Sequence, residues 1–439
     1  MAAPTEPRRW LTRFLAAALV APSACSGFMQ APLPARAMSY ARAAAADDLR
    51  VGAAEADITP DDLPYLAGFG LARRATAVAS PLKARALVLV AGGARIAIVG
   101  IDSLGLLRHD VDWVKGGIAG FPLGNVFLCA SHTHAAPDLI GLWGYYLLSS
   151  GRDPAYLARV RRGVAEAVAA ALARAQPARL QRAEGRLPAT GLVRNSNRRG
   201  VFDRALGVVH AVARADGAPL GTLLHMGCHP EVLSRRRSEV SADFVGALCD
   251  AWRAAGHGQA VFVNGALGAM VSPDVKDRDP AGAEAMGRAL CSLAEDALAE
   301  AEPVTVDSVE VRRADLYVPL QSLGLLLGRQ TVVIPRPTHA GWLRSTVGYL
   351  RLGDIEVVAV PGEMEPGLAE RLRRRAGRPG LMVFGLVDDE VGYLMAERDA
   401  RAPEFAYERS MSPSADVGER VLRALLDGDG ADGGGSTTR

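Results

Sequence analysis

Asn125–Asp138 reads NVFLCASHTHAAPD: a short apolar run that breaks into polar residues, two of them histidines one residue apart. The chain has only 8 histidines, so two at one strand exit ask for an explanation. The same grammar recurs along the sequence. GTLLHMGCHP ends on His229, AVFVNG opens the loop GALGAMVSP, EVVAVPGE ends on Glu363, and LMVFGLVDDEVGY ends on Tyr393. Each is an apolar run of strand length that delivers polar side chains at its carboxyl end. In α/β folds, sites gather at loops leaving strands, so these segments predict one convergent site built from distant parts of the chain.

Working outward, ALVLVAGG and RIAIVGID read as a hairpin joined by Gly92-Gly93, and LGVVHAVA and GTLLHMG as strands flanking the turn ADGAP. The stretch VTVDSVEVRRADLYV alternates and reads as strand. Helical spacing of apolar residues appears over 153–176, 243–255, 284–302 and 365–375. Interleaved strands and helices predict an α/β fold with mixed sheets flanked by helices, in a single large domain whose site lies at strand-exit loops. The expected divisions are 1–29 as a secretory signal peptide, 30–47 as a flexible tether, 48–426 as the catalytic domain and 427–439 as a disordered tail. The signal rests on RRWLTRFLAAALVAPSACSG, a basic start followed by a short apolar core and small residues. Cys25 stands where a bacterial lipoprotein signal carries its lipidated cysteine. The expectation is therefore an exported protein: periplasmic, secreted or lipid-anchored.

The 439 residues are 49% hydrophobic, and 50 Lys+Arg nearly balance 48 Asp+Glu, for a formal charge of +2. That balance excludes a nucleic-acid binder, which needs a clustered basic excess. The arginine runs 235–237 and 373–375 read as solvated faces. Cys129, Cys228, Cys249 and Cys291 form no Cys-x-x-Cys pair, which argues against a thiolate zinc site and for buried free thiols.

Two histidines, a carboxylate and one further oxygen donor suit a zinc ion, and a catalytic site keeps one position open. A divalent metal lowers the pKa of a water from 15.7 toward roughly 7, enough to attack a carbonyl without an activated serine. If the strand persists, His132 and His134 point to one side, with Cys129 and Cys228 facing the core. Alone, a His-x-His pair is more often structural than metallic, and His229, Glu363 and Tyr393 each have ordinary turn or core readings. The sequence holds no His-Glu-x-x-His, Gly-x-Ser-x-Gly or P-loop motif.

The order of the segments adds a second line of argument. SHTHAAPD resembles the THTHSGPG motif of the neutral/alkaline non-lysosomal ceramidase family. VGAAEADITPDDLPYLAGFG precedes it as that family's opening segment does. NSNRR, HMGCHPEVL with SADFVGAL, VNGALGAMVSPD, VVAVPGEMEPGLAERLR, and LVDDEVGYL with FAYE follow in family order. The resemblance runs from about Val51 to Met411. It implies a zinc-dependent amidase that splits an N-acyl lipid into fatty acid and amine. By motif it carries over His132, His229, Glu363 and Tyr393 as zinc ligands. His134 becomes the residue facing substrate and the developing oxyanion. Arg198 or its neighbour Arg199 becomes the substrate-holding arginine, and Ser272 the serine beside the metal. Three departures stand out. Ala269 and Met270 occupy a longer loop where the family shows aspartate, Ala135-Ala136 replace Ser-Gly, and the family's C-terminal β-sandwich domain has no expected counterpart. The expected partner is a lipid or other small N-acyl amide, with association at a membrane surface. LIGLWGYYLL (Leu139–Leu148) reads either as a lipid-binding groove or as an ordinary buried segment. Two other readings use the same residues: a catalytically silent metal- or lipid-binding protein, and a zinc hydrolase of a different acyl substrate.

Overall fold

The structure is a computed structural model that describes residues 37–45 and 48–430. The signal segment, Cys25 and the final residues of the expected tail lie outside the described residues.

Two sheets stack face to face and helices cover both outer faces. The large sheet contains β2 (Arg50–Asp57), β3 (Lys83–Ala91), β4 (Ala94–Ile101), β5 (Val126–Ala130), β6 (Gln176–Arg186), β7 (Ala205–Ala213), β8 (Pro219–Met226), β9 (Ala260–Asn264) and β10 (Glu302–Val304). Its order is β9-β8-β7-β6-β2-β3-β4-β5, with β10 on β6. The small sheet contains β1 (Ala37–Ala43), β11 (Ser308–Pro319), β12 (Trp342–Leu352), β13 (Ile355–Ala359) and β14 (Met382–Phe384), in the order β1-β11-β12-β13-β14. Most pairs are antiparallel, but β4/β5, β8/β9 and β13/β14 are parallel. Gly92 and Gly93 have φ of 57° and 72° in the predicted hairpin, a turn that disfavours side chains at both positions.

The layering follows from strand alternation. In β3, Ala84, Ala86 and Val88 face one core, while Leu87 and Leu89 face another. The first core is closed by α2 (Pro154–Ala173), through Val160, Val164, Ala167 and Ala171. The second lies between the sheets, where Ile96, Ile98 and Phe127 meet Val309, Val311, Leu350 and Phe384. Helices α3 (Asp243–Ala254) and α4 (Pro280–Ala299) cover the β7–β9 end of the large sheet. Helices α6 (Pro366–Ala376) and α7 (Val417–Gly430) cover the outer face of the small sheet. Two further helices are α1 (Arg108–Lys115), and α5 (Leu323–Gln330) near the site. Asp153 and Asp279 cap α2 and α4, each followed by a proline at the first helical position, which fixes where both helices begin.

At Gly52, α2 crosses β2 so closely that a Cβ would stand 2.2 Å from the Ala171 carbonyl oxygen. Gly52→Ala is expected to cost about 1–3 kcal/mol by overpacking. A urea midpoint equal to that of the unsubstituted chain would show that α2 can shift freely.

The structure differs from the sequence expectation in several elements, three of which follow. Residues 37–43 of the expected tether form β1, paired antiparallel with β11 from Ala37↔Ala314 to Ala43↔Ser308. Its Ala/Arg/Ser composition has little intrinsic strand preference, and the free edge of β11 supplies the order. Strand β12 was not anticipated, because WLRSTVGYLRL mixes both faces of a sheet that is covered on each side. Helix α7 runs to Gly430, past the expected start of the tail at 427.

Candidate metal centre

The carboxyl ends of β5, β8 and β9 in the large sheet meet those of β13 and β14 in the small one. His132 and His134 follow β5, and His229 follows β8. Glu363 and Tyr393 follow β13 and β14, and pair with each other in a two-residue parallel bridge. The three histidine rings stand 5.0–5.7 Å apart, centroid to centroid.

Alternation does not bring the first two together. β5 ends at Ala130, and His132 adopts the left-handed conformation with φ of 71°. Its N–H donates to the Ser103 carbonyl at 2.8 Å instead of continuing the sheet. His134 is held by its N–H to the Pro230 carbonyl at 3.1 Å, which ties this turn to the one carrying His229. Cys129 and Cys228 do face away into cores, and all four cysteines described are free and buried.

Asn264, at the end of β9, locks the histidine-bearing turns to each other. Its Nδ2 donates to the Ser131 carbonyl at 2.8 Å and to the Cys228 carbonyl at 2.9 Å. Its Oδ1 accepts from the N–H groups of Cys228 and Gly265, both at 3.1 Å. All four hydrogen-bonding positions of a fully buried amide are filled. The sequence reading passed over Asn264, although a polar residue closing the apolar run AVFV was the available signal.

The rings are prepared for a metal ion. His132 Nδ1 is 2.7 Å from the Leu104 carbonyl and His229 Nδ1 is 2.8 Å from the Val271 carbonyl. A carbonyl only accepts, so Nδ1 carries the proton in each ring, and in the neutral form Nε2 presents the lone pair that can bind a metal. Both Nε2 atoms face Glu363, at 3.5 Å from His132 and 2.9 Å from His229. Burial lowers the affinity of His132 for a proton. Burial pulls His229 the same way, but the hydrogen bond and charge of Glu363 outweigh it and raise its pKa. Glu363 is lowered in turn, burial being overcome by His132 and His229. Burial and the Glu363 charge raise Tyr393 well above an ordinary phenol, so it donates a hydrogen bond to Glu363. Two imidazole nitrogens and a carboxylate fit a zinc-type centre.

His134 differs from the other two. Neither of its ring nitrogens has a hydrogen-bond partner, although both are buried. Burial and the neighbouring His132 and His229 hold its pKa well below the usual value, so the ring is neutral. Phe69 packs edge-on at 4.8 Å. Gly68 leaves no room for a side chain, since a Cβ would lie 2.5 Å from His134 Cγ. Glu231 Oε2 stands 3.8 Å from Nδ1.

His132, His134, Glu363 and Tyr393 open onto a cavity, together with Glu390 and Tyr407. Its wall is apolar: Leu104, Leu107, Ile140, Trp143, Leu325 and Ile334. The Leu139–Leu148 stretch thus divides. Leu139 and Ile140 are buried, Leu142 and Trp143 line the cavity, and Tyr145–Leu148 are exposed.

Two residues carried over by motif lie off the cavity wall. Ser272 sits in the strand Val271–Pro273, paired with Val193–Asn195, and its hydroxyl donates to the Met270 carbonyl at 3.4 Å. The Arg198 guanidinium is held by Asp399 at 2.7 Å and Glu365 at 3.3 Å, over the Phe405 ring. Its neighbour Arg199 is exposed.

Six of the nine described non-glycine residues with left-handed backbone are His132, Asp243, Ala269, Met270, Leu386 and Asp388, with φ between 55° and 71°. Ala269 and Met270 belong to the loop that departs from the family pattern.

No protein-family model and no curated protein matches the chain. Solved structures share its fold. Neutral ceramidase from Pseudomonas aeruginosa superposes with a TM-score of 0.71 at 18% identity, covering 87% of this chain and 74% of that one. A structure described as ceramidase complexed with C2 gives 0.70 at 17% identity, over 87% and 76% of the two chains.

Proposed function

We propose that this chain is a zinc-dependent hydrolase of the neutral ceramidase family that cleaves the amide bond of an N-acyl lipid, giving a fatty acid and an amine. The observation that carries this reading is the convergence of His132 Nε2, His229 Nε2 and Glu363 at the polar end of an apolar cavity. The fold shared with neutral ceramidase supports it. Tyr393, hydrogen-bonded to Glu363, completes the ligand set.

Bound zinc supplies Lewis acidity, polarising the amide carbonyl and acidifying a water. The protein does the rest. The Leu104 and Val271 carbonyls fix the tautomers of His132 and His229, so neither ring must turn to present Nε2. Neutral His134, with one ring N–H unclaimed, donates to the oxygen on which charge develops. The apolar wall takes the acyl chain and excludes water from the carboxylate end. Ser272 and Arg198 stand off this wall, so neither is given a step. Their placement favours a second reading, a zinc hydrolase of a different acyl substrate.

The test is metal analysis of the purified chain, followed by matched amide and ester substrates of equal acyl length. About one zinc per chain with amide turnover is expected. Ester turnover alone would favour the second reading, and zinc without turnover a silent binding protein.

The substrate is met at a membrane surface. Tyr145, Tyr146, Leu147 and Leu148 are exposed immediately after cavity-lining Trp143, and Leu323 and Leu327 are exposed beside cavity-lining Leu325. Leu147 is 77% and Leu323 72% accessible, unusual for leucines in two neighbouring segments around one opening. The double variant Leu147→Asp/Leu323→Asp is expected to lower turnover of a vesicle-borne substrate about tenfold, as about 1.4 kcal/mol of lost apolar insertion predicts. Turnover of a soluble short-chain amide should hold. An equal fall on both substrates would remove the membrane from the account.

A further inference from the structure

The segment Asp388-Asp389-Glu390 places three consecutive acids at the exit of β14, and the structure spends only two of them. Asp388 pairs with Lys115 at 2.6 Å and Arg313 at 2.9 Å. Asp389 pairs with Arg336 and accepts from the Ser345 hydroxyl at 2.6 Å. Glu390 has no such partner. Its Oε1 accepts from the Gly392 N–H at 2.7 Å, while Oε2 is buried with no hydrogen bond.

The direction of that free oxygen is fixed from two sides. Gly392 anchors the other carboxylate oxygen, and Gly105 backs the side chain so closely that a Cβ there would lie 2.8 Å from Glu390 Cβ. The side chain opens onto the cavity beside His132 and Glu363, and donor atoms of all three lie within 4.8 Å of one another. Arg336, the cation beside this segment, binds Asp389 and the Glu390 backbone carbonyl at 3.0 Å, not the Glu390 carboxylate.

Two carboxylates facing one space each raise the cost of the other's charge, and a cation between them relieves that cost. We propose that Glu390 is a second carboxylate arm of the metal centre, donating Oε2 to the dication along the His132–Glu363 edge. This rests on the metal reading above and adds a donor that no motif supplied. It balances charge, since one dication meets two carboxylates, whereas His132, His229 and a protonated Tyr393 bring none. It also makes the centre richer in oxygen, so Mn2+ and Co2+ compete better with Zn2+ than at a site with one carboxylate.

The experiment is a zinc titration of the full chain against a chromophoric chelator, with Glu390→Gln beside it. Saturation at one zinc in the unsubstituted chain tests the metal reading. A dissociation constant weakened about 10–100-fold in E390Q is expected for loss of a carboxylate that holds the ion. The melting temperature of metal-free E390Q should equal or exceed that of the metal-free parent, because a carboxylate repulsion has gone. A zinc affinity within about threefold of the parent would overturn the assignment and leave the metal reading intact. If the parent binds no zinc, both fall. Should E390Q melt lower than the parent, Glu390→Asp decides: it retains the charge but draws the oxygen back by one methylene, and unchanged affinity there would also overturn it.

Discussion

His229→Ala is expected to strip the chain of zinc and to cut amide hydrolysis by about a thousandfold or more, equivalent to about 4 kcal/mol of barrier. The size follows from where the ring sits. His229 is 1% accessible, its Nδ1 is tied to Val271, and its Nε2 is 2.9 Å from Glu363, so the ring is held in place at the centre. Glu363→Gln tests the same centre with an uncharged isostere, and both losses should appear in elemental analysis as well as in rate. Retained zinc in both variants would mean that the ion binds elsewhere. Lost activity with retained zinc would assign these residues to the substrate instead. A urea melt of each variant separates either result from simple unfolding.

Asp388→Ala is expected to be the most damaging single change to the fold, at about 3–5 kcal/mol, because it leaves two buried cations without their anion. Asp388 is 2% accessible and binds Lys115, Arg313 and the Leu128 N–H, so one carboxylate joins α1, the small sheet and β5. Arg313 also stacks on Phe127 and donates to the Gly124 and Val126 carbonyls. Burial holds Lys115 down to about 8, below its unfolded value of about 10.4. Between those values the unfolded chain binds more protons than the folded one. Stability from this group therefore rises as pH climbs from about 8 to about 10.4. A chemical-denaturation midpoint for Asp388→Ala within about 1 kcal/mol of the parent would show that solvent reaches the cations.

The sequence made part of this legible, and the division has physical reasons. Strands β3 and β4, buried on both faces, could be read as continuous apolar runs bounded by turn residues, and α2 and α3 by a single apolar face. Strand β12, also covered on both faces, leaves no such run because WLRSTVGYLRL mixes polar and apolar residues, and β1 exists only because β11 offers an edge. His132, His229, Glu363 and Tyr393 could be picked out as candidates because each follows an apolar run. Their convergence could not, because it depends on two sheets stacking and on turns such as the one at His132. Asn264 and Glu390 look like ordinary polar loop residues until their partners are counted. Ser272 and Arg198 were placed by motif alone, and motif order does not encode which way a loop side chain turns.

Left-handed backbone at non-glycine residues has a consequence for how this chain would change under selection. A non-glycine residue in that conformation stores about 1–2 kcal/mol. Ala269 forfeits only a methyl group to glycine, so thermostability selection alone should find glycine there early, whereas buried Leu386 would lose more core packing than the strain it stores. Such a step relaxes the loops that aim His229 and Glu363. Lineages selected only for heat tolerance would thus drift toward a sturdier but less tightly aimed centre, and the site's function would have to be selected alongside to keep the strain in place.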